Sequence, residues 1–341
     1  MFRHLRIPTV AVIAAALVAA AGTTALASAP SQASGQVVVS GSSTVEPITS
    51  LVGEKFSEKN PDVAVRVDGP GTGDGFQLFC DGETDISDAS RAIDEEEIAA
   101  CGANGIAYTE LKVGIDGLSV ITSKDTKISC LNFNDLYALV GPQSEGFDNW
   151  QDAQPLATQL GSTTKLPKAK LEVTAPGEES GTYDSFIEIA LADPAEKQVE
   201  AGAITEDQAE TTRKDYQSSA NDNIIIDGVA ETKNSLGWVG FAFADQNKDK
   251  VKTLKVAGED GKCVAPSAKT VRDGSYPISR DLYIYVNNAK AGSNPALKSF
   301  VDYYMGKNGN ASVKEADYIQ LAKADWTQSV DTWKAAAQSL G

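Results

Sequence analysis

Near its start, the sequence passes repeatedly from a short apolar segment into a loop rich in glycine, serine or threonine. The apolar segments cover residues 36–40, 63–67 and 84–89, and helical patterns follow the first two of them, to about Lys59 and from Phe76. Apolar strands that alternate with helices are typical of an α/β fold with parallel strands. The order of these segments therefore predicts an α/β protein.

Two further apolar segments, at residues 117–122 and 282–286, lie far apart in the chain. The sequence between them has its own α/β pattern, with strand-like segments at residues 171–174, 224–226 and 237–243 and a helix from Ser180; residues 294–340 have helical patterns. We therefore expect two lobes joined by two crossing strands, one lobe inserted into the other. The expected boundaries are residues 35–118 with 282–341 for lobe 1, and residues 119–281 for lobe 2.

The first residues have the pattern of an export signal. Arg3 and Arg6 precede an apolar run at residues 10–21, and small residues with A-x-A spacing follow. This pattern predicts a signal peptide over residues 1–29, cleaved after Ala27 or Ala29. The apolar run would span roughly 18 Å as a helix, which is too short for a bilayer core of about 30 Å. A retained anchor helix is the alternative, and the expected location is periplasmic, extracellular or at the cell surface.

The four cysteines are Cys80, Cys101, Cys130 and Cys263, and export to an oxidising compartment favours disulfides between them. Three pairings are possible. The pairs Cys80–Cys101 and Cys130–Cys263 are preferred because the first of them encloses a single local unit. A zinc site is the alternative, but the sequence has no C-x-x-C spacing. Since no cysteine precedes Cys80, we expect no lipid anchor.

The chain carries a formal net charge of −17, and its single histidine, His4, lies before the apolar run of the signal. Proteins bind the phosphates of nucleic acids with Lys and Arg, so this acidity argues against a nucleic-acid partner. Without a histidine, the exported protein has no Ser-His-Asp or Cys-His catalysis and no His-dependent metal site. We expect no catalytic residues, no metal and no cofactor.

Each polar loop has an ordinary structural interpretation when it is taken alone. Residues 69–75 contain four glycines, but no lysine follows as in a P-loop, and the spacing of a dinucleotide-binding loop is absent. Ser43 and Glu46 fit a capping box, and Ser180 or Thr182 suits a helix N-terminus. These features alone do not predict a function.

Together, the loops favour an anion site. Three expected helix starts carry hydroxyl groups and glycine-backed amides, at 43–44, 72–73 and 180–182. Free amides at helix N-termini bind anions through local dipoles and hydrogen bonds, without net positive charge. An acidic protein can therefore bind an anion.

These stretches resemble the phosphate-binding proteins of high-affinity phosphate ABC importers. The similarity extends over most of the chain after the signal and includes residues 41–48, 71–76, 79–91, 180–186, 222–223, 227–229 and 236–242. The stretch at residues 79–91 is the most specific of them, whereas the Ser-Gly-Thr sequence alone is common.

The resemblance implies a two-lobed, periplasmic-binding-protein-like fold of type II that closes on inorganic phosphate. It also implies delivery of phosphate to the membrane subunits of an ABC permease, and we expect a monomer. The contacts that it implies are Ser43, Thr44 and Val45 in the first loop, Thr72 and Gly73 in the second, and Ser180, Gly181 and Thr182 in the third.

The sequence departs from the family pattern at two positions. Many members have an arginine four residues before the serine of Ser-Gly-Thr, where this chain has Pro176. Many have an aspartate where this chain has Arg91. We therefore expect Arg91 to supply a guanidinium for bidentate contact with phosphate. The alternative is that Arg91 pairs with Asp88 or Asp94 at the surface.

Discrimination against sulfate requires a further group. Phosphate keeps a proton at neutral pH, and a buried carboxylate can accept a hydrogen bond from it but would repel sulfate. The sequence offers Glu179, beside the third loop, and Asp74, in the second. The alternative functions are binding of another tetrahedral oxyanion, such as sulfate or molybdate, a secreted phosphate scavenger, or a phosphatase.

Overall fold

The computed structural model describes residues 34–178, 180–258 and 260–340, so the expected export signal at residues 1–29 lies outside the described residues. The strands are β1 (Gly35–Gly41), β2 (Val63–Asp68), β3 (Ile86–Ala89), β4 (Tyr108–Thr122), β5 (Cys130–Asn132), β6 (Thr174–Ala175), β7 (Gln217–Ser218), β8 (Leu236–Gly240), β9 (Lys252–Thr253), β10 (Lys255–Ala257), β11 (Cys263–Val264) and β12 (Ser279–Asn287).

The α-helices are α1 (Glu46–Ser57), α2 (Thr72–Cys80), α3 (Glu95–Ala103), α4 (Phe133–Val140), α5 (Gln154–Gln159), α6 (Gly181–Phe186), α7 (Ala192–Glu200), α8 (Glu206–Ala209), α9 (Asp222–Glu231), α10 (Phe241–Gln246), α11 (Ala268–Arg272), α12 (Asn288–Ser293), α13 (Pro295–Tyr304), α14 (Lys307–Glu315) and α15 (Lys323–Ser339). Short 3-10 helices cover Pro142–Ser144 and Trp150–Ala153, and a π-helix covers Ile187–Leu191. No helix among the described residues is both long enough and apolar enough to cross a bilayer.

The first part of the chain confirms the strand–loop–helix prediction. β1 is parallel to both β2 and β3, and the intervening helices α1 and α2 pack against this part of the sheet. Val37 and Val39 of β1 and Ile48 of α1 are fully buried in one apolar cluster. Burial of these side chains supplies the hydrophobic free energy that fixes the loops between them. α2 begins at Thr72, four residues earlier than the sequence indicates.

Two long antiparallel strands connect the two ends of the large sheet. Its order is β2-β1-β3-β12-β4-β8, and β9 also pairs with β4. β12 is antiparallel to both β3 and β4, so the sheet is mixed rather than wholly parallel. The 15-residue strand β4 continues beyond β12 to pair with β8. β4 and β12 are therefore the two crossing strands that the sequence predicts, and they are called the hinge strands below.

The region between the hinge strands has a separate apolar cluster. Trp150 is fully buried there, and the rings of Phe186 and Trp238 stack with centroids 4.3 Å apart. All three strand predictions in this region need correction. Residues 171–174 form a strand only from Thr174, residues 224–226 belong to helix α9, and the strand predicted at residues 237–243 ends at Gly240, where α10 follows.

The α9 error has a physical cause. Three consecutive isoleucines favour a strand by intrinsic propensity. The Asn221 side chain, however, accepts a hydrogen bond from the Asn223 amide and caps the helix, and Ile225 and Ile226 are buried while Ile224 is 48% exposed. Capping and tertiary packing therefore override the propensity of the isoleucines.

Both preferred disulfides are present. Cys80–Cys101 links α2 to α3, and Cys130–Cys263 links β5 to β11, which flank β10 in a three-stranded sheet. The helical prediction for residues 294–340 is also confirmed, by α13, α14 and α15.

Candidate functional site

The first two polar loops lie side by side because two glycines touch. A Cβ atom on Gly75 of α2 would come within 2.3 Å of the Gly41 Cα atom, at the end of β1. Gly41 itself has φ of 147° and could not carry a Cβ, which would meet the Asp88 carbonyl oxygen at 2.1 Å. Glycine is therefore required at both positions for α2 to approach the end of the sheet. This contact brings Thr44 and Thr72 to the same edge of the sheet.

The amides of the first loop are mostly used within the loop. The Thr44 amide donates to the Ser42 hydroxyl at 3.2 Å, and the Val45 amide donates to the Ser42 carbonyl at 3.1 Å. The expected capping box of Ser43 and Glu46 is wrong, because Val45 is the N-cap residue of α1 and no side chain caps it. The Thr44 side chain is fully buried beside this helix start.

Ser43 and Thr44 instead contact helix α6 from the other side of the cleft. The Ser43 hydroxyl donates to the Asp184 carboxylate at 3.1 Å, and the hydroxyls of Thr44 and Ser185 lie 3.0 Å apart. A Cβ atom on Gly181 would lie 3.6 Å from the Ser43 carbonyl oxygen, so the start of α6 faces the first loop. The third loop thus meets the first.

The third loop has the local geometry expected of a helix start. Ser180 is the N-cap residue of α6, and its hydroxyl accepts a hydrogen bond from the Thr182 amide at 3.2 Å. The Gly181 amide lies in the first turn, where no preceding helical carbonyl is available to it. Glu179, one of the two carboxylates considered for sulfate discrimination, lies outside the described residues.

The second loop faces a cavity of about 770 Å³ at the cleft. Thr72, Gly73, Asp74, Ser90, Arg91, Glu188 and Arg280 are among the residues that line it. The Thr72 and Ser90 hydroxyls lie 3.0 Å apart, and the Ser90 hydroxyl also donates to the Glu188 carboxylate at 3.5 Å. Asp74 is exposed at this cavity. Within the described chain, the residues that line this cavity do not include Ser180, Gly181 or Thr182, and Gly181 lies beside the first loop.

Arg91 lies at the wall of the cavity but is paired with acidic groups. Its guanidinium donates two hydrogen bonds to the Glu97 carboxylate, both at 2.7 Å, and lies 3.6 Å from the Asp94 carboxylate. The hydrogen bond to Glu97 raises the pKa of Arg91, and 44% of the side chain is exposed. This is a surface pairing of the kind that the alternative interpretation describes, with Glu97 as the main partner. Direct contact between Arg91 and phosphate stays a prediction.

A second arginine, Arg280, occupies the centre of the site. It is the second residue of hinge strand β12, and its side chain is only 16% exposed. Its Nη2 atom donates to the hydroxyls of Thr44 and Ser185, at 3.0 and 3.2 Å. Its Nη1 atom donates to the Glu188 carboxylate. Arg280 therefore binds to both sides of the cleft at once.

Asp116 faces Arg280 from the other hinge strand. The two residues are cross-strand partners in the β4–β12 pairing, and Asp116 Oδ2 lies 3.7 Å from Arg280 Nε. Asp116 is 3% exposed, and among the described residues neither of these two atoms has a hydrogen-bond partner. Burial raises the pKa of the Asp116 carboxyl, and the charge of Arg280 opposes this shift. Buried polar atoms are usually hydrogen-bonded, so this ion pair leaves hydrogen-bonding capacity unused on both side chains.

The sequence prediction missed Arg280, Asp116, Ser185 and Glu188. A signal was present for two of them, since Asp116 interrupts an apolar strand and Arg280 precedes the apolar segment at residues 282–286. Charged residues inside or beside buried strands are rare unless they are paired or functional. No local pattern distinguishes Ser185 or Glu188 from other polar residues on a helix.

A sequence model of the PBP superfamily domain matches residues 26–308. The chain belongs to the PBP superfamily. The phosphate-binding protein PstS of Staphylococcus saprophyticus is 33% identical over 295 residues, which cover 86% of this chain and 83% of that protein. The protein SphX of Synechococcus elongatus is 34% identical over 301 residues, which cover 88% of this chain and 81% of that protein.

A solved structure supports the same assignment of this PBP-superfamily chain. A possible phosphate binding protein from Planctomyces limnophilus is 32% identical, with a TM-score of 0.79, and the alignment covers 89% of this chain and 99% of that one. PstS from Borrelia burgdorferi is 22% identical with a TM-score of 0.57, over 84% of this chain and 99% of that one, and it supports the fold alone. The two-lobed, type II binding-protein fold predicted from the sequence is thereby confirmed.

Proposed function

We propose that this protein binds inorganic phosphate in the cleft between its lobes and delivers it to an ABC-type phosphate permease. The observation that carries the proposal is the position of Arg280, whose guanidinium donates to Thr44 on one side of the cleft and Ser185 on the other. A buried guanidinium surrounded by hydroxyls suits a tetrahedral oxyanion, since charge-assisted hydrogen bonds are short and strong. The names of the PstS relatives support the same ligand.

In this proposal, phosphate lies beside Arg280 and Asp116. The hydroxyls of Thr44 and Thr72, with the first-turn amides of α2, contact it from lobe 1. The first-turn amides of α6, including that of Gly181, contact it from lobe 2. Ser43, Val45, Asp74, Arg91, Glu179, Ser180 and Thr182 complete the proposed surroundings.

Phosphate binding would favour the closed arrangement of the lobes, because a ligand that contacts both lobes binds the closed form more tightly. We place the lobe boundaries at the hinge strands, with residues 35–118 and 282–341 in lobe 1 and residues 119–281 in lobe 2. The cross-strand pair of Asp116 and Arg280 lies next to these boundaries. The proposed ligand is therefore held close to the hinge.

The test is calorimetric titration of the exported form with phosphate and then with sulfate, after unfolding and dialysis have removed any bound anion. We expect tight one-to-one binding of phosphate and no heat from sulfate. Circular dichroism before the titration confirms refolding. A refolded protein that binds neither anion would overturn the proposed function, and one that prefers sulfate would assign it to another oxyanion.

We propose that Asp116 provides the discrimination against sulfate, because it is buried beside Arg280 whereas Asp74 is exposed. Its carboxylate would accept the hydrogen bond of protonated phosphate and repel sulfate. We expect Asp116→Asn to lower the ratio of phosphate to sulfate affinity by about 10- to 100-fold, since an amide can also donate to sulfate. Competition titrations measure this ratio.

Asp74→Asn is the matched control, since it removes an exposed carboxylate from the cavity that Arg280 also lines, and we expect the ratio of phosphate to sulfate affinity to stay unchanged. Equal losses of phosphate and sulfate affinity in Asp116→Asn would contradict the role of Asp116. A larger change in Glu179→Gln would assign the role to that residue instead.

The protein acts in this proposal as an exported, monomeric receptor without catalytic activity. Its membrane partner is the permease, and no nucleic acid takes part. An assay with a chromogenic phosphate monoester separates this proposal from the phosphatase alternative, because a receptor releases no product.

A further inference from the structure

Glu188 is held between the groups that face the proposed ligand. It belongs to the π-helix Ile187–Leu191, which follows α6, and wide turns of this kind occur frequently at functional sites. Its carboxylate accepts hydrogen bonds from Arg280 Nη1 and, at 3.5 Å, from the Ser90 hydroxyl. The Glu188 carboxylate thus accepts a hydrogen bond from the guanidinium that the phosphate would otherwise accept.

Carboxyl groups outnumber cations in the described surroundings of Arg280. Glu188 and Asp116 both lie within ion-pair distance of its guanidinium. Asp184 lies near enough for its charge to interact with those of Glu188 and Arg280, and burial raises the pKa of its carboxyl. The other charged residues that line the cavity are Asp74, Arg91, Glu210 and Asp281. Arg91 is already paired with Glu97, so it adds little positive charge to the site.

This arrangement penalises a second negative charge on the ligand. Like charges a few ångströms apart disfavour the doubly ionised state in a partly buried site. Phosphate exists near neutral pH as both a monoanion and a dianion, and the dianion meets more repulsion from Glu188 and Asp116. Since Arg280 is shared with Glu188, less of its charge is available to offset that repulsion.

We propose that Glu188 makes the cleft selective for the monoanion of phosphate by neutralising Arg280. This inference rests on the proposed function and adds to it the charge state of the ligand. Glu188 acts as a specificity-determining residue through the guanidinium and does not itself need to touch the phosphate.

The wild-type protein provides the first test. Calorimetric titrations with inorganic phosphate between about pH 6 and about pH 8 give the dissociation constant across the range in which the dianion replaces the monoanion. We expect the constant to rise with pH when it is calculated for total phosphate, and to stay nearly unchanged when it is calculated for the monoanion alone. A constant for total phosphate that stays level, or that falls with rising pH, would overturn the inference while leaving phosphate binding established.

Glu188→Gln is the second test, with Glu210→Gln as the matched control, because Glu210 lines the same cavity and is exposed. We expect Glu188→Gln to tighten phosphate binding about tenfold near pH 8 and less than about twofold near pH 6. Glu210→Gln should change the constant by less than about twofold at both values.

Two results for Glu188→Gln would count against the inference. Weaker binding at every pH would make Glu188 a ligand contact or a structural residue, and an equal gain at every pH would remove the link to the charge of the phosphate. Thermal unfolding of the variant checks that it folds. If the variant does not fold, the pH dependence of the dissociation constant of the wild-type protein decides the question. Absence of phosphate binding by the wild-type protein would instead be a failure of the proposed function.

Discussion

Replacing Arg280 with alanine is expected to weaken phosphate binding by about 100-fold or more, whereas replacing Arg91 should weaken it by less than about threefold. Arg280 is mostly buried and donates to both sides of the cleft. Its loss removes the central donor and leaves Asp116 and Glu188 facing the phosphate without a cation. Arg91 is half-exposed and already bound to Glu97. Calorimetric titration of both variants measures the difference.

The lysine variant of Arg280 separates charge from geometry. Lysine keeps a positive charge but lacks the planar fork that lets the guanidinium bind several oxygens at once. We expect Arg280→Lys to recover only part of the lost affinity. A larger loss in Arg91→Ala than in Arg280→Ala would restore Arg91 as the principal cation of the site.

A second large effect is expected at Asp88, which lies on β3 under helix α1. Its side chain is fully buried, and among the described residues neither carboxyl oxygen has a hydrogen-bond partner. Burial raises the pKa of Asp88 to about 8, an effect that the nearby Thr49 hydroxyl opposes and the charge of Glu46 increases. The folded protein therefore keeps this carboxyl protonated near neutral pH, in contrast to the unfolded chain.

The sign of the resulting pH dependence follows from proton binding. Between about pH 4 and about pH 8 the folded state holds one more proton at Asp88 than the unfolded state, so the free energy of unfolding falls as the pH rises. The fall is about 1.4 kcal/mol per pH unit, which amounts to about 4 kcal/mol by pH 7. Below about pH 4 Asp88 is protonated in both the folded and the unfolded state, and it no longer lowers the free energy of unfolding.

Asp88→Asn should remove this dependence, because an amide has a similar shape and does not ionise. We expect the loss of stability between about pH 5 and about pH 8 to be smaller in the variant by about 4 kcal/mol, measured by urea unfolding. Asp62→Asn, on the surface, should follow the wild-type curve. Parallel curves for Asp88→Asn and the wild-type protein would show that Asp88 does not titrate in this range.

The sequence predicted those parts of the fold that depend on local patterns. β1, β2 and β3 are short apolar segments bounded by polar loops, and the structure places strands there. The sequence prediction failed for residues 224–226, where the Asn221 cap and tertiary packing outweigh the strand propensity of isoleucine. The prediction of a capping box at Ser43 also failed, because the Ser43 hydroxyl donates to Asp184 instead. That hydrogen bond joins residues far apart in sequence, and no local pattern shows it.

The candidate site could be predicted only in part. Glycine and hydroxyl patterns indicated Thr44, Thr72 and Gly181; in the structure Thr72 lines the cavity, Thr44 accepts a hydrogen bond from Arg280, and Gly181 lies beside the first loop. Arg280 was not found, because its role arises from the antiparallel pairing that sets it opposite Asp116. Because this chain has Pro176 where many family members have an arginine, the sequence prediction assigned the guanidinium to Arg91 instead.

The pairing of Asp116 with Arg280 across the hinge strands has a mechanical consequence. Residues close to the axis of a domain rotation are displaced little, while residues far from the axis are displaced most. If the lobes rotate about the hinge strands as proposed, Arg280 and Asp116 would keep nearly the same separation, and the proposed site would hold its anion before, during and after closure. The displacement would grow with distance from these two residues, so the outer rims of the lobes would move most when the cleft fills.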